Sequence, residues 1–265
     1  MEEPALYFFH SDRAKILLVL IITLVFAPAG QNASAAFVDR IESFEGSTKD
    51  DETWEEYTTY AQFLQDDMLF LRTQPESLGM SDYTTRTVTV GIGEAVSVEI
   101  HDCQISRVEY SNSICGLYLT DNSGGIQTRT GQDDDFIALV FSYYATSKES
   151  YFVLKYGGNG ASIGKTINYN PQRPSSKNPY IFLIERIASN LVRGSVYNTI
   201  DMSLICSDTL YLIHPDYSPI KDELYISLVA NVDTDWDNVT IIPEPASMVL
   251  LGLGGLIFSL RRRQR

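Results

Sequence analysis

The sequence predicts an all-β protein, an antiparallel β-sandwich. Three observations carry that prediction. From Tyr83 onward, short runs of β-branched and aromatic residues recur between clusters of Gly, Asn, Asp, Pro and Ser, the signature of strands separated by turns. No stretch keeps apolar residues at i, i+3, i+4 and i+7 for long, so no amphipathic helix organises the chain. No internal repeat of roughly 20–50 residues is visible, which excludes a propeller or a solenoid.

The runs follow one another along the chain. TTRTVTVGIGEAVSVEI, from Thr84 to Ile100, alternates Thr and Val on either side of Gly91 and Gly93, as two strands with a tight connection would. GLYLTDNSGG, FIALVFSYYA, YFVLKYGGNG, YIFLIERIA, DTLYLIH, ELYISLVA and DNVTII come next. Ahead of them, TWEEYTTYAQFLQDD (Thr53 to Asp67) is the one stretch expected to hold a turn or two of helix. No low-complexity linker divides the middle, so residues 36–242 read as one domain between two ends of different character.

The N-terminal end has the three parts of a secretory signal. Arg13 and Lys15 form a basic flank, and Ile16 to Phe26 an apolar run too short to span a bilayer durably. Ala33, Ser34 and Ala35 are small residues of the kind signal peptidase accepts, which places cleavage between Ala35 and Ala36 and makes residues 1–35 a signal peptide.

At the other end, residues 243–265 begin with Pro243, Glu244 and Pro245 and continue with the apolar run Ala246 to Leu260. As a helix that run would measure about 22 Å, short of a hydrocarbon core, and its glycines weaken it. Arg261, Arg262, Arg263 and Arg265 close the chain, a cluster that should stay on the cytoplasmic side. With the signal at the other end, this puts the domain outside and the tail transiently in the membrane.

Pro-Glu-Pro, a Leu-Gly-Leu-Gly-Gly apolar segment and terminal arginines, in that order, resemble the PEP-CTERM sorting signal of exported bacterial proteins. The resemblance implies recognition of Pro243, Glu244 and Pro245 by an exosortase. It also implies residence at the cell surface, in the outer envelope or in an exopolysaccharide matrix. A second resemblance covers most of the middle. FVDRIESFEG followed by Trp54, CGLYLTDNSGG, YFVLKYGG, YIFLIERIASN and a closing ELYISLVANVDTDWDNVTI look like the strand succession of concanavalin A-like lectins and glucanases. That likeness implies a jelly-roll β-sandwich and leaves the function open.

Composition removes one class of function. The formal net charge is −14, and removing both ends makes the remainder more acidic still, so a nucleic-acid binder is excluded. Such a surface attracts divalent cations and repels polyanions.

Gly160-Ala161-Ser162-Ile163-Gly164 has the spacing of a hydrolase nucleophile elbow, but TINYNPQRPSS cannot supply the helix that must follow, so Gly157 to Gly164 is expected to be a turn or loop. His101 and His214 are the histidines of the mature chain, too few for a His-rich metal site. Glycosidases of this fold carry alternating carboxylates, Glu-x-Asp-x-Glu, on one strand, and this chain has none. The domain is therefore expected to be non-enzymatic, with a carbohydrate-binding or structural role. A secreted carbohydrate-active enzyme is the alternative.

Asp121 with Asp133, Asp134 and Asp135 could combine as calcium ligands, whereas Asp233-x-Asp235-x-Asp237-Asn238 mimics a calcium loop but lacks its turning glycine. Export permits a disulfide, and the 11 residues between Cys103 and Cys115 suit a stapled hairpin; pairing with Cys206, or three buried thiols, stays open. For a glycan ligand, Tyr143, Tyr144 and Trp236 are the aromatic platforms expected.

Overall fold

A computed structural model describes residues 39–58, 61–73, 80–105, 112–122, 135–158, 161–212 and 221–243, all within one unit spanning residues 38–265. Residues 1–35 (expected to be a signal peptide), Glu244, Pro245, the apolar tail with its arginines, and His214 lie outside the described residues. Fifteen strands and no helix occur among those described, in two antiparallel sheets.

The first sheet runs in the order β13 (Leu204–Tyr211), β12 (Leu191–Asn198), β11 (Tyr180–Ala188), β6 (Ala95–Cys103), β15 (Thr234–Ile242), β4 (Leu69–Thr73), β3 (Ala61–Gln65), with β1 (Asp39–Glu42) also paired to β15. The second runs β10 (Ala161–Tyr169), β9 (Glu149–Gly158), β8 (Phe136–Tyr144), β7 (Ser113–Thr120), β14 (Leu224–Ala230), β5 (Ser81–Val90), β2 (Trp54–Tyr57). The jelly-roll sandwich read from the sequence is therefore the fold.

Alternation decides which face is inside. Val96, Val98 and Ile100 of β6, Phe182 and Ile184 of β11, and Trp236 and Val239 of β15 point inward and are fully buried. They meet Leu117 and Leu119 of β7, Leu139 and Phe141 of β8, and Phe152 and Leu154 of β9 from the other sheet. Aromatic rings fill one end of this core: Trp54 stacks on Tyr83 with centroids 5.0 Å apart, and Phe63 lies 5.2 Å from Tyr83 and 6.1 Å from Trp236.

Three local expectations need correction. Thr53 to Asp67 holds no helix: it supplies β2 and β3, because Phe63 and Gln65 must face the core while Gln62 and Leu64 stay exposed. Gly157 to Gly164 is not a free loop, since Ala161 to Gly164 belong to β10 and pair with Lys155 to Gly158 of β9. Thr84 to Ile100 is not a hairpin. Strand β5 pairs with β14 and β2, whereas β6 pairs with β11 and β15 in the opposite sheet.

The corner that joins β5 to β6 is held from below by a buried arginine. Glu94 Oε2 accepts the Gly91 amide at 2.6 Å, and Gly93 takes a positive φ of 89°. The Gly93 amide donates to the Arg186 carbonyl at 2.6 Å, and Arg186, only 1% exposed, donates its guanidinium to the carbonyls of Val90 (2.7 Å), Lys221 (2.7 Å) and Asp222. One side chain thus ties β11, the β5–β6 corner and the entry to β14 together. Arg186→Met keeps the volume but strands the buried Val90 carbonyl and the part-buried Lys221 and Asp222 carbonyls, and urea unfolding should show a loss of about 3 kcal/mol. A loss under about 1 kcal/mol would mean that the clamp contributes little.

Candidate functional site

The outer face of the first sheet carries a histidine among carboxylates, and two irregularities in the β6–β15 ladder put it there. Trp236 lies opposite Ile100, and Asp235 opposite Asp102, so His101 is the extra residue of a bulge. Asp237 lies opposite Glu99, and Thr240 opposite Ser97, so β15 bulges in turn around Asn238, whose φ is 51°. Bulges re-aim side chains. Here the first keeps both His101 and Asp102 half-buried on the outer face while Cys103 turns back into the core.

Glu99, His101 and Asp237 each bring one ligand atom into a group whose members all lie within 4.8 Å of one another. His101 Nε2 is 3.1 Å from Glu99 Oε2. This hydrogen bond, followed by the charges of Glu99, Asp237 and Asp235, raises the His101 pKa against the opposing effect of burial. Beside them Asp235 is raised by burial, although Arg72 Nη1 donates to its Oδ1 at 2.6 Å. Arg72 itself lies over the Phe70 ring, 4.7 Å from its centroid.

Two carboxylates and an imidazole at this spacing can donate to one divalent ion. Because one ligand is nitrogen, the set suits a transition metal better than calcium, which prefers oxygen alone. Without an ion the same groups form a charge-assisted hydrogen bond between imidazolium and carboxylate. Metal binding requires the neutral ring, so proton and cation compete for His101.

The sequence had named none of these three as a site. The chain has no Glu-x-Asp-x-Glu strand, and Asp233-x-Asp235-x-Asp237-Asn238 lacks the calcium-loop glycine. The cluster is assembled across two strands by register, which no spacing along one strand reveals. Asp233, Asp235 and Asp237 do not form a loop: Asp233 Oδ1 accepts the Thr73 amide at 2.7 Å, Asp235 holds Arg72, and Asp237 Oδ1 accepts the Asn238 amide at 2.7 Å.

The structure sorts the other expected residues. The Asp121 amide donates to the Asp135 carbonyl at 3.2 Å, which brings those two together at the end of β7, and Asp121 Oδ2 is 3.4 Å from Lys221 Nζ. Asp133 and Asp134 lie outside the described residues. Ala33, Ala35, Ala36, Arg261, Arg262 and Arg263 do too. Cys103 and Cys115 are both buried, and they do not close a hairpin, because β6 and β7 lie in opposite sheets.

Trp236 is not a glycan platform. It is fully buried against Phe63, because the bulged register turns it inward. Tyr143 also packs on the core, leaving Tyr144 on the outer face of the second sheet. Tyr144 has two companions there, Tyr151 and Tyr169, which register alone brings beside it. Tyr151 lies 5.4 Å from Tyr144 and 5.5 Å from Tyr169, edge to face, across β8, β9 and β10. Tyr169 is 71% exposed and Tyr144 39%. Tyr151 also packs against a second apolar cluster on this face, formed by Tyr118, Ala138, Val140, Val153 and Val229.

The His101 shift has a signed consequence. Its folded pKa stands above the unfolded value of about 6.5, so the stabilisation is complete below that pH and is lost as pH rises through the folded pKa. The pair is partly exposed, and its effect should be under about 1 kcal/mol. NMR titration should place His101 above 6.5 in the native chain, and Glu99→Gln should lower it. An unchanged His101 in that variant would show that Glu99 does not set it.

Residues 242–263 match the PEP-CTERM protein-sorting motif. No curated protein is significantly similar to the chain in sequence. Among solved structures the chain is similar to porphyranase B from Zobellia galactanivorans, at 8% identity over 81% of this chain and 98% of that one, with a TM-score of 0.50. It is similar to the exoplasmic/lumenal domain of VIP36 in a Ca2+/Man3GlcNAc-bound form, at 8% identity over 72% and 85% of the two chains, with a TM-score of 0.50. An endo-1,3-beta-glucanase from Streptomyces sioyaensis overlaps 82% of this chain and 98% of its own at 11% identity and a TM-score of 0.48. The chain is an antiparallel jelly-roll sandwich that carries a PEP-CTERM protein-sorting motif at residues 242–263, which points to an exported protein.

Proposed function

We propose that this protein is a non-enzymatic component of the cell surface or extracellular matrix that binds exopolysaccharide, after signal peptidase has removed residues 1–35 and exosortase has recognised Pro243-Glu244-Pro245. The observation that carries this reading is the tyrosine row of Tyr144, Tyr151 and Tyr169. Aromatic faces take up the apolar face of a sugar ring while neighbouring polar groups bond its hydroxyls. Polar groups stand beside the row: Glu149 accepts the Tyr151 hydroxyl, and Asn170 Oδ1 and the Ser150 hydroxyl line the β9–β10 edge. The ring centroids lie 5.4 and 5.5 Å apart along the row. Solved proteins of the same fold include a glycan-bound lectin domain and a porphyranase, which makes carbohydrate the ligand class to test first. Calcium would act as a bridge between the acidic surface and an acidic glycan, with Asp121 and Asp135 its expected anchors.

The enzymatic alternative rests on Glu99 and Asp237, whose ligand atoms lie within 4.8 Å, close to the separation of about 5–5.5 Å in retaining glycosidases. Against it, Glu99 already holds His101.

Affinity electrophoresis of the full chain through gels containing the host's exopolysaccharide should show retardation. Tyr169→Ala and Tyr151→Ala should each weaken it about tenfold, the usual cost of truncating an aromatic anchor. Equal mobility of wild type with and without the polysaccharide, in calcium and in chelator, would sink the binding reading. Release of new reducing ends, abolished by Glu99→Gln, would establish the enzyme instead. Deletion of residues 243–265 should redistribute the protein from the surface fraction to the medium or periplasm, and an unchanged distribution would remove exosortase from the pathway.

A further inference from the structure

We infer that Cys103 and Cys115 form a disulfide across the core that locks the two sheets together, leaving Cys206 as a single thiol. The pair is brought together by the corner that joins β14 to β15. Cys115 lies opposite Ala230, the last residue of β14, and Cys103 opposite Thr234, the first residue of β15. The three residues between, Asn231 to Asp233, bond to the neighbour of each cysteine. Asn231 exchanges hydrogen bonds with Ile114, its amide reaching the Ile114 carbonyl at 3.1 Å and its Oδ1 the Ile114 amide at 2.7 Å. The Asp233 carbonyl accepts the Gln104 amide at 2.9 Å.

Strands of facing sheets are usually about 10 Å apart, too far for a disulfide, which needs Cα atoms roughly 4.4–6.8 Å apart. Near such a corner the sheets converge, and β6 and β7 approach to within 8 Å between Cα atoms. Both cysteines are completely buried in the same cluster. The Cys115 thiol is pushed well above its ordinary value by burial and then by its neighbour Cys103.

Cys206 is excluded by strand order. It sits on β13, which is separated from β6 by β12 and β11, a lateral distance of about 14 Å at the usual strand spacing. Its register partner is Val196, and burial raises its thiol to about 11, so it is also a poor nucleophile.

Oxidation removes two electrons and two protons from the thiols and reduces a disulfide of the exported compartment, an oxidoreductase or oxidised glutathione, to two thiols. Because neither sulfur reaches solvent in the folded chain, the exchange takes place before the core closes. The consequence is mechanical. The bond fixes the end of β6 directly after the His101 bulge, the segment that carries the histidine and carboxylate group.

The test is peptide mapping of the full chain recovered from the exported fraction, denatured and alkylated without reductant. Cleavage after Arg107 separates the two cysteines, so a linked pair of peptides containing Cys103 and Cys115, with Cys206 alkylated, is the expected result. Alkylation of all three, or a link through Cys206, would overturn the inference. On a purified sample, reductant should lower the melting temperature by about 6–12 °C, from the entropy of a short closed loop in a domain of this size. Cys103→Ala/Cys115→Ala should melt at the reduced temperature whether or not reductant is present, and a response to reductant in that variant would assign the effect elsewhere.

Discussion

The β6–β15 ladder is the constraint on which the rest depends. It joins the middle of the first sheet to the last strand of the domain, and its two bulges decide the face on which each side chain emerges. A regular ladder would send Asp102 into the core and Cys103 to solvent, because alternation has a period of two. The extra residue at His101 reverses that, and one backbone irregularity thereby presents a titrating group outside and a thiol inside. The second bulge, at Asn238, holds Asp237 level with Glu99 while returning Val239 to the core. A polar cluster on a β-sheet costs little when the inner face of the same strands remains fully apolar, and here Ile100 and Trp236 supply that face.

The strand runs were legible because they obey alternation or burial on both sides. Strand β11 reads as alternating buried and half-buried residues, and YIFLIERIA shows it directly. Strands β7, β8 and β14 read as unbroken apolar runs for a different reason: their outer faces also pack, through Tyr118, Ala138, Val140 and Val229. What the sequence hid was pairing. GIGE between two Thr-Val strands looks like a hairpin turn, yet it is a corner between sheets, because Arg186 from a strand about ninety residues away takes up the Val90 carbonyl. A buried arginine inside YIFLIERIA has no local signal, since a charged residue on a strand ordinarily faces water. The site was hidden in the same way. Glu99 and Asp237 are 138 positions apart and meet only through register, and Tyr151 and Tyr169 join Tyr144 only once β8, β9 and β10 are laid side by side.

The two outer faces have become chemically different surfaces. The first sheet presents Glu99, Asp102, Asp235 and Asp237 around one histidine and one arginine. The second presents an apolar patch that ends in exposed tyrosines. An acidic chain repels a polyanionic polysaccharide over most of its surface, within the Debye length of about 8 Å at physiological ionic strength. Binding on the proposed tyrosine row avoids the problem, because stacking needs no opposite charge. On the opposite face an acidic glycan would need a cation to neutralise both partners, and the proton on His101 would compete with that cation. Protonated, the ring satisfies Glu99 internally and keeps the cluster closed to metal. Deprotonated, it leaves two carboxylates facing each other across one ladder, a repulsion that a divalent ion relieves. Polysaccharide held through this face would therefore depend on pH and on cation together, whereas polysaccharide held through the tyrosines would depend on neither. That difference in response, rather than the fold, separates the two faces as binding surfaces.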